Sequence, residues 1–187
     1  MKSISKFFVL AFIAALFVSC GGDDPVDYSL KDLDVMRGTY IGTCVITPSG
    51  SGVTPYTIED ASVRLVRTAS ANTMTFETSE TGFISQDILS NFRNTPDETA
   101  ITFDIKGFDF RRTNLSYINE WFPSPTWSNI SEVTITVNSS NDARFNKSTK
   151  TLTFSYNATA TFTATPQVGS PSQQTVNLRY SYTVVKQ

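Results

Sequence analysis

The chain reads as an all-β protein, an antiparallel barrel of eight or nine strands with one short helix, and three observations predict this. Apolar and polar residues alternate with a period of two through most of the chain after Arg37. Those runs are rich in Thr, Val, Ile, Phe and Tyr, which suit a pleated, half-buried surface. Clusters of Pro, Gly, Ser and Asn separate them at the spacing of sequential hairpins.

Taken in order, the predicted strands cover 39–47, 53–59, 61–68, 73–78, 101–106, 112–117, 133–138, 151–165 and 175–185. In the fifth, Ile101, Phe103 and Ile105 share one face. Val133, Ile135 and Val137 do the same in the seventh. The longest run places Leu152, Phe154, Tyr156, Ala158, Ala160, Phe162 and Ala164 on one face against a row of Thr, Ser and Asn. The last sets Val176, Leu178, Tyr180, Tyr182 and Val184 against Asn177, Arg179, Ser181 and Thr183. Turn composition marks 48–52, 138–142, 146–150 and 166–171. The helix is predicted over 85–94, with Ser85 as its cap and Ile88, Leu89 and Phe92 at helical spacing.

The apolar face is expected inside and the hydroxyl face in water. A barrel crossing a membrane needs the reverse, an apolar band outward, so a porin-like chain is excluded. At about 3.3 Å per residue the 151–165 run would reach roughly 50 Å, far beyond an ordinary strand. Such length suits a bent barrel or a β-sandwich, and the sandwich is the alternative fold. Small Ala158 and Ala160 among large Phe154, Tyr156 and Phe162 fit the taper of a small barrel.

Ahead of this domain stand Lys2 and Lys6, an uncharged apolar stretch from Phe7 to Val18, and Ser19 directly before Cys20. Twelve apolar residues fall short of the roughly 20 that span a bilayer. The arrangement resembles a bacterial lipoprotein signal peptide. Ser19-Cys20-Gly21-Gly22-Asp23-Asp24 is similar to the start of Bacteroidota-type outer-membrane and surface lipoproteins. That resemblance implies lipidation of Cys20, a membrane partner through that anchor, and residence on the outer membrane, facing the cell surface or alternatively the periplasm. The division is then a signal peptide at 1–19, a lipidated acidic spacer at 20–36 and the β-barrel domain at 37–187. Asp23, Asp24, Asp27, Asp32 and Asp34 against Lys31 make the spacer a solvated stalk.

The remaining charge is balanced, with twelve basic and twelve acidic residues from Arg37 onward. Such a domain offers no basic surface for nucleic acid. Histidine is absent, which removes Ser-His-Asp and Cys-His catalysis and any histidine-ligated metal. Cys44 is the second of two cysteines; with Cys20 acylated it has no disulfide partner, and its strand context reads as core. No cofactor, metal site or catalytic residue is expected, and the chain is not read as an enzyme.

Gly38-Thr39-Tyr40-Ile41-Gly42 followed by hairpins and a final amphipathic strand is similar to the calycin-like (lipocalin-like) β-barrel lipoproteins. The resemblance covers 37–187 and implies a barrel that holds a ligand. Trp121-Phe122-Pro123-Ser124-Pro125-Thr126-Trp127 contains both tryptophans, and its prolines argue for a loop. The candidate ligand-binding residues are therefore Trp121, Phe122 and Trp127 at the mouth and Tyr156 and Tyr180 inside. The loop folding back to close the core is the plainer reading. The carboxylate pairs Glu59 with Asp60, Asp97 with Glu98, and Asp104 with Asp109 read as turns or solvated faces. Two functions follow. One is a tethered binding protein for a small apolar ligand or a glycan in or at the rim of the barrel. The other is a non-catalytic structural or interaction subunit of an envelope assembly, with a solid core.

Overall fold

In the computed structural model the described residues are 33–49, 54–67, 74–79, 100–112, 132–166 and 169–187, with the backbone course of 86–88, 93–94 and 127–128. The alternating runs become twelve strand segments. In chain order they are β1 (Gly38–Pro48), β2 (Tyr56–Arg67), β3 (Met74–Thr78), β4 (Gln86–Ile88), β5 (Arg93–Asn94) and β6 (Ala100–Ile105). They continue with β7 (Phe108–Arg112), β8 (Trp127–Ser128), β9 (Val133–Val137), β10 (Ser140–Asn146), β11 (Thr151–Pro166) and β12 (Ser172–Lys186). Every pairing is antiparallel.

Four of these segments are two strands, each broken once. β6 and β7 both pair with the β9–β10 stretch, Phe108 facing Val137 and Ile105 facing Ser140. The breaks fall opposite each other, and the Gly107 amide donates to Ser139 Oγ at 3.1 Å across them. With those joined, nine strand positions run β4-β3-β2-β1-β12-β11, then β10 with β9, then β6 with β7, then β5. The short β8 pairs with the end of β11.

The sheet curls but does not close, and this corrects the expected barrel. Its two edges stay 11 Å apart, whereas hydrogen-bonded strands lie about 4.8 Å apart. The edge strands span three and two residues, too little ladder to bridge that gap. The sandwich is not formed either, since one sheet supplies the wall. The predicted helix over 85–94 is also corrected: the described part of that stretch is strands β4 and β5, and helical backbone among the described residues is confined to Leu33 and Asp34. Helical spacing of Ile88, Leu89 and Phe92 loses there to pairing with β3 and β6. The turn expected over 138–142 is strand from Ser140 onward.

Runs 53–59 and 61–68 form one strand, β2, with a register shift opposite Gly42 and Cys44. Glu59 and Asp60 are both exposed there, breaking the alternation. The carboxylate pair therefore marks a β-bulge, where two residues oppose one.

The inward face behaves as its alternation predicts. Tyr40, Ile46, Val63, Phe76, Phe103, Phe145, Leu152, Phe154, Tyr156, Phe162, Tyr180 and Tyr182 are all buried. Aromatic rings meet across the interior as well as along the β11–β12 ladder. Phe76 of β3 sits edge-on to Phe154 of β11 at 5.1 Å, and Tyr40 of β1 meets Phe145 of β10 at 6.1 Å. Leu33 and Met36, in the stretch read as spacer, are also fully buried. They close the end of the curl in a single turn, with the Met36 amide donating to the Leu33 carbonyl at 3.0 Å.

The two glycines of the opening motif have physical causes. Gly38 adopts φ +147°, a region L residues rarely enter. A Cβ at Gly42 would stand 2.8 Å from Val184 Cα, pressed into the backbone of β12. Between them Tyr40 points inward, and its hydroxyl donates to the Met36 carbonyl.

Candidate functional site

The two tyrosines named from sequence lie on neighbouring strands at one level. Tyr156 on β11 and Tyr180 on β12 are register partners, as are Phe154 and Tyr182. Period-two alternation turns all four inward, and packing makes them a stack. Phe154 and Tyr182 are 4.4 Å apart at 14°, and Tyr156 and Tyr180 are 5.0 Å apart at 29°. Phe108 meets Tyr156 edge-on at 6.1 Å.

The polar tips are also enclosed. Tyr156 Oη and Tyr182 Oη lie 3.5 Å apart. Burial first, then the neighbouring Tyr156 and Cys44, raises the Tyr182 pKa well above the usual phenol value. Burial likewise raises that of Tyr40. Both phenols are therefore neutral around pH 7; Tyr40 donates to the Met36 carbonyl, and in the Tyr156–Tyr182 pair either hydroxyl can be the donor. Tyr156 and Tyr180 are 1% and 0% exposed.

Of the other ligand-binding candidates, only the backbone course of Trp127 lies among the described residues. Trp127 begins β8, paired with Pro166 at the end of β11. Trp121, Phe122 and Cys20 lie outside the described residues, as do Asp97 and Glu98. Arg111, near the aromatic loop in sequence, pairs with Glu132 at 3.4 Å on an exposed face. Asp109 is exposed and Asp104 half-buried. Cys44 is a buried free thiol. Among the described residues, no group of three His, Cys, Asp or Glu side chains could hold a metal ion.

Sequence reasoning missed a polar cluster on the outer face. Ser155 belongs to the hydroxyl row expected in water, yet it is only 6% exposed. Its Oγ donates to Asp142 Oδ2 at 2.5 Å and accepts from Arg179 Nη2 at 2.7 Å. Ser140 Oγ donates to the Ser155 carbonyl at 2.6 Å. The cluster ties β10, β11 and β12 together, with Ser155 Oγ both donating and accepting across it. No single-sequence signal marks it, because Asp142 and Arg179 stand 37 residues apart.

Concavities bounded by described residues lie outside the curl. One of about 500 Å³ is lined by Thr47, Asn138, Asn157, Thr159, Asn177 and Arg179, among others. Another, of about 230 Å³, includes the Asp142–Ser155–Arg179 cluster. Both are open to solvent and lined by polar and apolar groups in similar measure. Their amides and hydroxyls are partly spent on each other, as in Thr159 Oγ1 donating to Asn177 Oδ1 at 3.2 Å.

No protein-family model matches the chain, and no curated protein matches it. A solved structure from Bacteroides fragilis, provisionally named an outer membrane protein, is similar at 15% identity with a TM-score of 0.27. The match covers 82% of this chain and 52% of that one, so this chain spans about half that protein's length. At that looseness of superposition neither fold detail nor activity transfers from it.

Proposed function

We propose that this chain is a non-catalytic structural or interaction subunit of a bacterial cell envelope, moored to the outer membrane by a lipid on Cys20. The observation that carries the reading is the Phe154–Tyr156–Tyr180–Tyr182 stack, which packs the interior with rings at 0–3% exposure. A binding barrel of this size keeps a cavity of about 300 Å³ or more. A subunit that works through its surface keeps a core packed to native density. The export signal and Cys20 support the mooring. The acidic start after Cys20 supports display at the cell surface.

Native mass spectrometry of the protein, extracted from its own envelope in detergent, tests both parts. A second chain at fixed stoichiometry is the expected result. A small molecule retained without any partner chain would overturn the reading. The mass of the mature chain reports the acyl groups on Cys20 directly.

A further inference from the structure

The inner row of β12 changes character part-way along. Leu178, Tyr180, Tyr182 and Val184 are buried, whereas Ser172, Gln174 and Val176 are only half-buried. The step coincides with the end of a neighbouring strand. On one side β11 accompanies β12 all the way to Ser172. On the other, β1 ends its pairing at Pro48, opposite Leu178. One more bond follows, in which the Ser49 amide donates to the Asn177 carbonyl at 2.8 Å. From Ser172 to Val176 no described residue pairs with β12 on that side.

Backbone groups along an antiparallel strand face its two neighbours alternately, with a period of two. The Asn177 carbonyl faces the lane of β1. The amides and carbonyls of Thr175 and Gln173 therefore face the same lane, beyond the last residue of β1 to bond there. Both residues are exposed. Those of Val176 and Gln174 turn the other way, toward Ala160 and Phe162 of β11. Open edges are ordinarily guarded by brevity, charge, proline or a bulge. β4 and β5 are guarded by brevity, at three and two residues. The stretch from Ser172 to Leu178 holds no charged residue and no proline, and its register with β11 runs without a break.

We propose that this edge takes an extended segment of a partner polypeptide, laid antiparallel to β12 in the lane where β1 stops. The free groups define the occupant's chemistry. Amides and carbonyls presented at the two-residue repeat of a strand are matched by the backbone of another strand. With no charge along the edge, neither an acidic nor a basic segment is selected. An apolar side chain opposite Val176 covers the half-buried end of the inner row. A second copy of this chain fits less well. Setting Gln173 against Thr175 of the copy, and the reverse, brings Ser49 of the copy to the place of Pro171, where β12 has only just begun.

This inference deepens the interaction-subunit reading and rests on it, and the test separates the two. Hydrogen exchange is read at single residues in the full chain alone and in the complex extracted from its own envelope. The amides of Gln173 and Thr175 should exchange about a hundredfold more slowly in the complex. Thr175→Pro removes only an amide that faces the open lane, a position where an edge strand tolerates proline. Its urea midpoint should hold, while the partner chain in the extract falls about tenfold or more. Gln173→Pro should do the same, and Thr175→Val, which keeps the amide, should retain the partner. Val176→Pro deletes an amide turned to β11 and should lower the midpoint; an unchanged midpoint there overturns the assignment of sides. A partner chain present without protection at 173 and 175, or retained by both folded proline variants, overturns the proposal and leaves the interaction reading standing. Protection that arises in the chain alone and grows with its concentration assigns the edge to a second copy, which overturns it too. An extract without any partner chain sinks the interaction reading itself, and this site with it.

Discussion

The wall formed by β1, β12 and β11 differs sharply from the seam between β4 and β5. In the wall, β11 and β12 stay in register from Thr151 facing Val185 to Ala164 facing Ser172. Every second side chain is buried from Leu152 to Ala164 of β11 and from Leu178 to Val184 of β12. At the seam, β4 contributes three paired residues and β5 two, and the edges stand 11 Å apart. Curling a sheet therefore requires only a continuous inner row, whereas closing it requires long ladders at both edges. This chain supplies the first without the second.

Hydrogen exchange gives the widest contrast. Strands β11 and β12 are paired on both sides, so amides in their middles should exchange only through global unfolding, which costs about 5–15 kcal/mol in a domain of ordinary stability. Amides of β4 and β5 should exchange several kcal/mol more readily. Equal protection in the two regions would mean that the seam is paired in solution.

Truncating the stack is the next largest effect. Tyr156→Ala removes a ring that touches Phe108, Phe154, Tyr180 and Tyr182. It should cost about 3–5 kcal/mol in urea unfolding. Tyr156→Phe keeps the ring and should cost about 1 kcal/mol. A Tyr156→Ala cost no larger than that would indicate a hollow interior, and the ligand-holding alternative would return.

Gly42→Ala probes the wall from its backbone. The added methyl group would press on the Thr183–Val184 backbone rather than on a flexible side chain. A loss of about 1–3 kcal/mol follows from overpacking of this kind. A neutral result would show that β1 and β12 separate easily at the bulge, removing the distinction between wall and seam.

How much of this was legible in the sequence follows the same division. Strands β1, β9, β11 and β12 were readable because both faces of each strand are defined, inward rings against outward hydroxyls. The inward placement of Tyr156 and Tyr180 followed from that period alone. Residues 85–94 misled because a short edge segment owes its form to neighbouring strands distant in sequence. Closure was illegible for a related reason: whether two edges meet depends on stagger and curvature, which alternation does not encode. Leu33 and Met36 were hidden among the spacer's aspartates, and only their packing beneath Tyr40 attaches them to the core. The Asp142–Ser155–Arg179 cluster required register, since three strands bring those side chains together.

The smallest effect is confined to alkaline solution and separates the tyrosines from their surroundings. Burial raises the native pKa of Tyr40 and Tyr182, while in the unfolded chain each returns to about 10. Below pH 10 both states carry the same protons, so the contribution of these groups is fully present and constant. Above it the unfolded chain ionises first, and stability falls as pH rises toward the native pKa, by up to about 1.4 kcal/mol per unit for each tyrosine. Tyr182→Phe should reduce that slope by one tyrosine's share while leaving the behaviour between pH 6 and 9 nearly flat. Urea midpoints followed from pH 7 to pH 11 would measure it. A midpoint that holds steady to pH 11 would mean that these hydroxyls meet water, and with it that the wall is looser than its ring contacts require.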